Sequence, residues 1–462
     1  MGSVSKHRTR TRWFASVIAI LATAAASAQT GQTGTPTGPQ TEKPQAPETA
    51  PAKPPSASPV PAFVSLGPSR EVKLGENTWF RFGAQVQAWA KETQDRIIQP
   101  GGGEGGYAFD FYCRRCRLFT TGSVVKDVYF NVLFEASNLG RADPTTGVKS
   151  FAAPSILDAY AQVKFTDWFW LSGGSILLPL TRNGTQPTTT YLSIDNANVD
   201  TTPILQGNTN VIRDLGFQAN GFFLGNHLEY RVGVFQGSRA ASKGPAAAPT
   251  ATAGHNPPRF VSMLSFNFWD TETGYVNGGH YYGSKKVLGV MANFDYQTLR
   301  NQDPPAPGSS KNPYYGVSAA TFINFPLAGA NPRGGDELVG LLQVGFYDGG
   351  VRGTPSATNF TGTYSNVLKQ WNYLAEGAYY NKNLQVSIFG KFEMRKISNI
   401  YSTVVQGASN QMWIAGGLKY YVAPANLLNL ALQYERIQFP DAPATAQGGT
   451  NNLTFQMQLL LY

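Results

Sequence analysis

Nine basic side chains stand where they could act on a passing anion. Arg115, Arg117, Lys164, Arg231, Lys391, Arg395 and Lys419 fall in runs whose alternate residues are apolar. Arg182 and Arg213 lie towards the two ends of the longest stretch that lacks such alternation. Side chains alternate across a strand, so the seven would project from polar faces and form ladders of positive charge. A guanidinium grips an oxyanion through two parallel hydrogen bonds, whereas an ammonium acts as a point charge. A plainer reading stands beside this one. Asp158, Glu229, Glu393 and Glu435 share those faces, and opposite charges pair across strands. The run Arg114-Arg115-Cys116-Arg117-Leu118 offers two faces. We place Arg115 and Arg117 inward, because Tyr112 and Leu118 suit an apolar surround, and Arg114 near an interface, where it snorkels.

Other chemistry is sparse. Cys113 and Cys116 form a C-x-x-C pair, a spacing used by redox and metal sites. On a regular strand, residues three apart point to opposite faces, so neither a bridge nor chelation follows, and both are expected to be ordinary wall residues. No His follows Cys116, which excludes haem attachment. A hydrolase would need a nucleophile beside a base. After the first 28 residues only His227, His255 and His280 remain. His227 begins a strand beside a tight turn, and the other two lie in connections with no G-x-S-x-G partner. The chain therefore reads as a non-enzyme that holds no metal or cofactor.

The elements that position these residues repeat along the chain. Sixteen short alternating runs begin near residues 79, 108, 126, 156, 168, 214, 227, 259, 285, 313, 337, 369, 383, 410, 427 and 451. From Leu384 to Arg395, for example, Leu384, Val386, Ile388, Phe392 and Met394 oppose Gln385, Ser387, Lys391, Glu393 and Arg395. Elsewhere Leu157, Ala159, Ala161 and Val163 oppose Asp158 and Lys164, and Leu228, Tyr230, Val232 and Val234 oppose Glu229 and Arg231. No segment after residue 28 approaches the roughly 20 apolar residues of a membrane helix. So many strands with no helices to cover them imply an all-β fold. We expect a transmembrane up-and-down antiparallel β-barrel of sixteen strands, its apolar face in lipid and its charged face lining a lumen.

The gaps alternate between short and long, which puts both termini on one side, the periplasm. The longest gap, 178–213, is the third long one. Two connections that should be short, 269–284 and 326–336, are longer than the rhythm allows. In the last run Leu453, Phe455, Met457, Leu459 and Leu461 share a parity that Tyr462 lacks, so a bulge or twist near Leu460 is expected.

The first 28 residues read as a secretory signal: basic Lys6, Arg8, Arg10 and Arg12, an apolar stretch, then Ala26-Ser27-Ala28. Residues 29–62 are rich in Pro, Thr, Gln, Gly and Ala without alternation and read as a disordered periplasmic linker; residues 63–462 form the barrel. Setting aside the four signal cations, and with Glu42 and Glu48 cancelling Lys43 and Lys53 in the linker, the formal +9 falls to +5 for the barrel. The pI of 9.3 thus overstates the case for polyanion binding, and no nucleic acid is expected as a partner. The linker is too short and too polar to be a folded plug.

Arg114 to Leu118, followed by Gly122 and the run Val128–Glu135, resembles a segment of the phosphate-selective porin O and P family. Asp158-Ala159-Tyr160 with Gly173-Gly174 and Pro179, then Arg213-Asp214-Leu215-Gly216 and Gly233 to Gly237, resemble further blocks of it, in order, across 108–237. The resemblance implies a homotrimeric channel in the bacterial outer membrane, contacting its lipid. It further implies passive uptake of small anions or other hydrophilic solutes, with arginines at a constriction. As in porins generally, the third long loop, 178–213, is expected to fold inward. Cys116 replaces a small Ala and Asn183 an acidic residue of the family pattern. Arg182 and Arg213 are the only cations that loop offers, against Asp195 and Asp200, so phosphate specificity does not follow.

Overall fold

The computed structural model describes residues 71–95, 105–143, 146–151, 153–201, 212–237, 257–299, 312–349, 369–398, 410–423, 426–441 and 448–461. The signal, the linker, His255 and Tyr462 lie outside them. The strands are β1 (Glu71–Lys73), β2 (Trp79–Gln94), β3 (Tyr107–Val125), β4 (Val128–Leu139), β5 (Ser155–Thr166), β6 (Phe169–Leu177), β7 (Arg213–Phe223), β8 (Leu228–Phe235) and β9 (Arg259–Asn267). They continue as β10 (Val287–Leu299), β11 (Asn312–Pro326), β12 (Glu337–Asp348), β13 (Gln370–Asn381), β14 (Val386–Ile397), β15 (Gln411–Ala423), β16 (Leu428–Gln438) and β17 (Gly449–Leu461). The one helix among the described residues is a single turn, α1 (Asn198–Thr201).

Every strand from β2 onward pairs antiparallel with the next, and β17 pairs with β2, which closes a sixteen-stranded barrel among the described residues. All sixteen begin within three residues of their expected starts. The extra strand β1 pairs with Trp79–Arg81 at the start of β2. Closure matters physically, because a sheet without edges leaves no unpaired backbone groups to face hydrocarbon.

Alternation sets the two faces. In β17, Leu453, Phe455, Met457, Leu459 and Leu461 are exposed, while Thr454, Gln456 and Gln458 are buried. In water such a belt would forfeit about 25 cal/mol for each Å² left uncovered; in a bilayer it is the favourable face. Aromatic girdles mark both rims. At the short-turn end, Phe223 stacks on Tyr230, Phe266 meets Phe268, and Trp269 meets Phe325. At the long-loop end, Phe346 contacts Tyr315 and Trp371, and Phe260 contacts Phe294.

Two expectations on parity fail, one at a bulge that was not foreseen and one where no bulge exists. Leu157 was assigned to lipid, yet it is 1% exposed. Leu133 pairs with Asp158 and Phe134 with Ile156, so Leu157 is an extra residue that turns inward. It packs with Phe119, Leu133 and Leu460. The bulge expected near Leu460 is absent: β17 pairs without a register shift on either side, and Leu460 is simply an inward residue of that apolar cluster.

Candidate functional site

The β3 strand carries the decisive irregularity. Gln87 of β2 pairs with Arg115 and Ala88 with Cys113, so Arg114 is one residue too many. A regular strand sends consecutive side chains to opposite faces, but a bulge lifts that rule locally. Arg114 and Arg115 therefore both point into the lumen, and Arg117 follows two residues on. The expected interfacial position of Arg114 is thus corrected. So is the expectation for the cysteines. With one extra residue between them, Cys113 and Cys116 share the outer face, and they form a disulfide with Cα atoms 6.4 Å apart.

The three arginines meet the β6–β7 loop, whose described residues 178–201 fold into the barrel as expected. Asp195 of that loop accepts hydrogen bonds from Arg114 Nε at 3.0 Å and from Arg115 Nη2. Burial alone would raise the Asp195 carboxyl, but the two guanidinium charges outweigh it and hold the group well below the usual carboxylate range. Arg117 bonds Glu135 and donates to Thr188 Oγ1 at 2.8 Å, and Thr188 in turn donates to Gln85 at 3.0 Å. Arg213 pairs with Asp158 at 3.0 Å.

The loop then crosses the lumen to the opposite wall. Asn293 and Ser318 donate to the carbonyls of Pro179 and Leu180 at 2.6 and 2.7 Å. Ser193 donates to Glu376 at 2.7 Å, and the Val199 amide to Glu393 at 3.0 Å. Asn372 holds the Val199 carbonyl, and Lys419 donates to the carbonyls of Tyr191 and Ser193. Gln343 donates to Asp200 of α1 at 2.6 Å. These bonds span β10 to β15, so the loop is anchored across much of the wall.

A second inward element was not foreseen. The β9–β10 connection, 268–286, enters from the short-turn end and locks onto the loop. Arg182 and Glu272 form a two-point ion pair at 2.8 Å, both 3% exposed. The Asn277 amide donates to the Thr185 carbonyl at 3.1 Å. A Cβ on Gly279 would come within 2.1 Å of the Thr190 carbonyl, so this approach requires glycine. The β11–β12 turn packs beneath it: the Asn331 amide donates to the carbonyl of Gly283, whose φ is +74°. The only signal in the sequence was that both connections exceeded the rhythm.

The nine expected cations now divide. Arg115, Arg117 and Arg213, joined by the missed Arg114, line an opening of about 290 Å³ between β2–β5, the loop and Tyr275. Lys164, Arg182, Arg231, Lys391, Arg395 and Lys419 do not line it. Lys164 pairs with exposed Asp167 at 2.7 Å near the turn end. Arg231 pairs with Glu229 at 2.7 Å and holds the Tyr275 carbonyl. Lys391 pairs with Glu393 at 2.8 Å. Arg395 is half-buried at a position paired with Asn372 and Gln411. The Arg231 and Lys391 partners lie two residues away on the same strand, not across it. His227 hydrogen-bonds the Asn267 carbonyl, and buried His280 faces Glu337 at 2.8 Å, so neither addresses a nucleophile there.

Charge at the opening follows from this inventory. Four guanidinium groups face Glu135 and Asp158 in the lining, and Asp195 binds two of them. Four positives less three negatives leave +1, in a fixed array of donors that a dehydrating anion could use in place of water.

No protein-family model matches the sequence, and no curated protein matches it. Solved structures share the fold. Pseudomonas putida OprB, in a high-pH structure, superposes with a TM-score of 0.53 at 9% identity over 82% of this chain and 94% of that one. The outer membrane channel DcaP of Acinetobacter baumannii gives 0.50 at 12% identity over 84% and 99%. Salmonella typhi OmpF in complex with daunomycin gives 0.50 at 9% identity over 85% and 100%. The chain has the porin fold, and with its apolar exterior it is a barrel of the bacterial outer membrane.

Proposed function

We propose that the protein is a passive channel for small hydrophilic solutes, with a preference for anions set where β2–β5 face the β6–β7 loop. The observation that carries this reading is the 290 Å³ opening with four arginines against three carboxylates. A fixed net positive charge lowers the energy of a passing anion and raises that of a cation. Screening does not erase it at close range, because the field persists over a Debye length of about 8 Å at physiological ionic strength. Phosphate and related oxyanions suit paired guanidinium groups, and the sequence resemblance across 108–237 points the same way and towards a homotrimer. On this reading Arg114, Arg115, Arg117 and Arg213 guide solute, while Arg182, Arg231 and Lys419 hold the inward segments.

Reconstitution into a planar bilayer tests it. Stable ion conductance with a reversal potential of anion-preferring sign in a salt gradient is the expected result. Absence of conductance would overturn the channel reading, and cation preference at neutral pH would overturn the arginine assignment. Chloride, phosphate and a neutral sugar as competing permeants would then rank the solutes, and an SDS-resistant, heat-modifiable band would report the trimer.

A further inference from the structure

The disulfide and the bulge it spans are one device. Cys113 and Cys116 flank Arg114 and Arg115 on the outer face, while those two arginines occupy the inner one. In a regular strand residues three apart are separated by about 10 Å, at roughly 3.4 Å per residue. A disulfide needs Cα atoms within about 7 Å, and here they are 6.4 Å apart. The bridge and a regular pleat are therefore mutually exclusive at this point: while the bond exists, the bulge cannot be pulled out.

We propose that the Cys113–Cys116 disulfide is a positioning element for selectivity, holding the β3 bulge that aims Arg114 beside Arg115 at the opening. This rests on the channel reading above. The cysteines touch neither solute nor lumen; they act through the arginines. Phe109 and Phe111, exposed at 61% and 65%, face lipid only while the extra residue is retained. They resist a full slip of the strand when the bond is cut. Reduction should therefore loosen Arg114 rather than unfold β3. Arg114 has partners in Asp195 at 3.0 Å and Asn138 at 3.4 Å, the latter in a left-handed conformation with φ 54°. Both contacts depend on where the bulge sits. The bond's formation requires a disulfide-donor oxidant in the exported compartment, which takes two electrons while the two thiol protons leave.

The test reads selectivity across a redox cycle in one folded channel. A membrane-permeant dithiol is added to the reconstituted protein. It breaks the Sγ–Sγ bond by two exchange steps, delivers two electrons and two protons to the cysteines, and closes as a cyclic disulfide. Thiol-labelling mass confirms the reduction. We expect the anion-to-cation permeability ratio to fall about twofold and to recover on reoxidation. The Cys113→Ala/Cys116→Ala channel should match the reduced state and ignore the dithiol. In Arg114→Gln the redox step should vanish, which a merely structural bond would not predict. A confirmed reduction that leaves the ratio unchanged overturns the proposal, as does an undiminished step in Arg114→Gln. Failure to conduct at all would count against the channel reading instead.

Discussion

The two sides of the lumen use the same residue types for different ends. Along β2–β7, Arg114, Arg115, Arg117 and Arg213 border an opening. Along β8–β15, Arg231, Lys391 and Lys419 are no less inward and, like the four arginines, are held by carboxylates or carbonyls, but they border no such opening. Face assignment alone does not separate them. What separates them is which wall the β6–β7 loop and the β9–β10 connection lean on. An inward charge is available to solute only where the inward segments leave space beside it.

Breaking the packed side should have the largest effect. Glu272→Ala leaves Arg182 buried without its counter-charge, and losing one partner of a buried pair costs about 3–5 kcal/mol. The β9–β10 connection should release, seen as a raised single-channel conductance and a lower temperature of heat modification. Conductance that stays unchanged would mean that the interlock does not limit the lumen.

Next comes the open side. Arg115→Gln takes the local balance from +1 to zero. The permeability ratio should approach unity, about a severalfold loss, with conductance largely kept. Lys391→Gln, on the packed side, should instead lower stability because Glu393 loses its counter-charge, with the sign of selectivity retained. Equal shifts in selectivity from both variants would erase the contrast between the walls.

The pH response sharpens the comparison at the seam. Burial pushes the Asp200 carboxyl from the ordinary 3.8 up to about 7, with Glu393 and Glu376 adding to the rise and bonds from Thr181 and Gln343 opposing it. The neutral form is thus the one the packed side accommodates. Its contribution to seating the loop is full below the ordinary value and is lost as pH rises through about 7. Current noise should increase over that rise, and Asp200→Asn should remove the step. A step that persists in the variant would assign it to another group. The smallest effect belongs to Lys164→Ala. Its partner Asp167 is 76% exposed, so the pair is worth about 0–1 kcal/mol, and heat modification should barely move.

Strand positions were legible in the sequence because alternation reports burial directly, and every barrel strand starts within three residues of its run. The inward loop was legible only through length and resemblance. What failed was local parity: single inserted residues at Arg114 and Leu157 leave no compositional mark, yet each reverses the faces on one side of it. Arg114 was misassigned and the disulfide dismissed for that one reason. The C-x-x-C spacing held the missing signal, since a bridge three apart in a strand demands a bulge. The interlock of Arg182 with Glu272 joins residues 90 apart, a contact that no local pattern announces.

The most direct measurement is the zero-current reversal potential of the reconstituted channel in a potassium chloride gradient, compared between the native protein, Arg115→Gln and Lys391→Gln. The account predicts anion preference in the native channel, near-complete loss in Arg115→Gln and retention in Lys391→Gln. A cation-preferring native channel, or loss of preference in Lys391→Gln with Arg115→Gln unaffected, would contradict it.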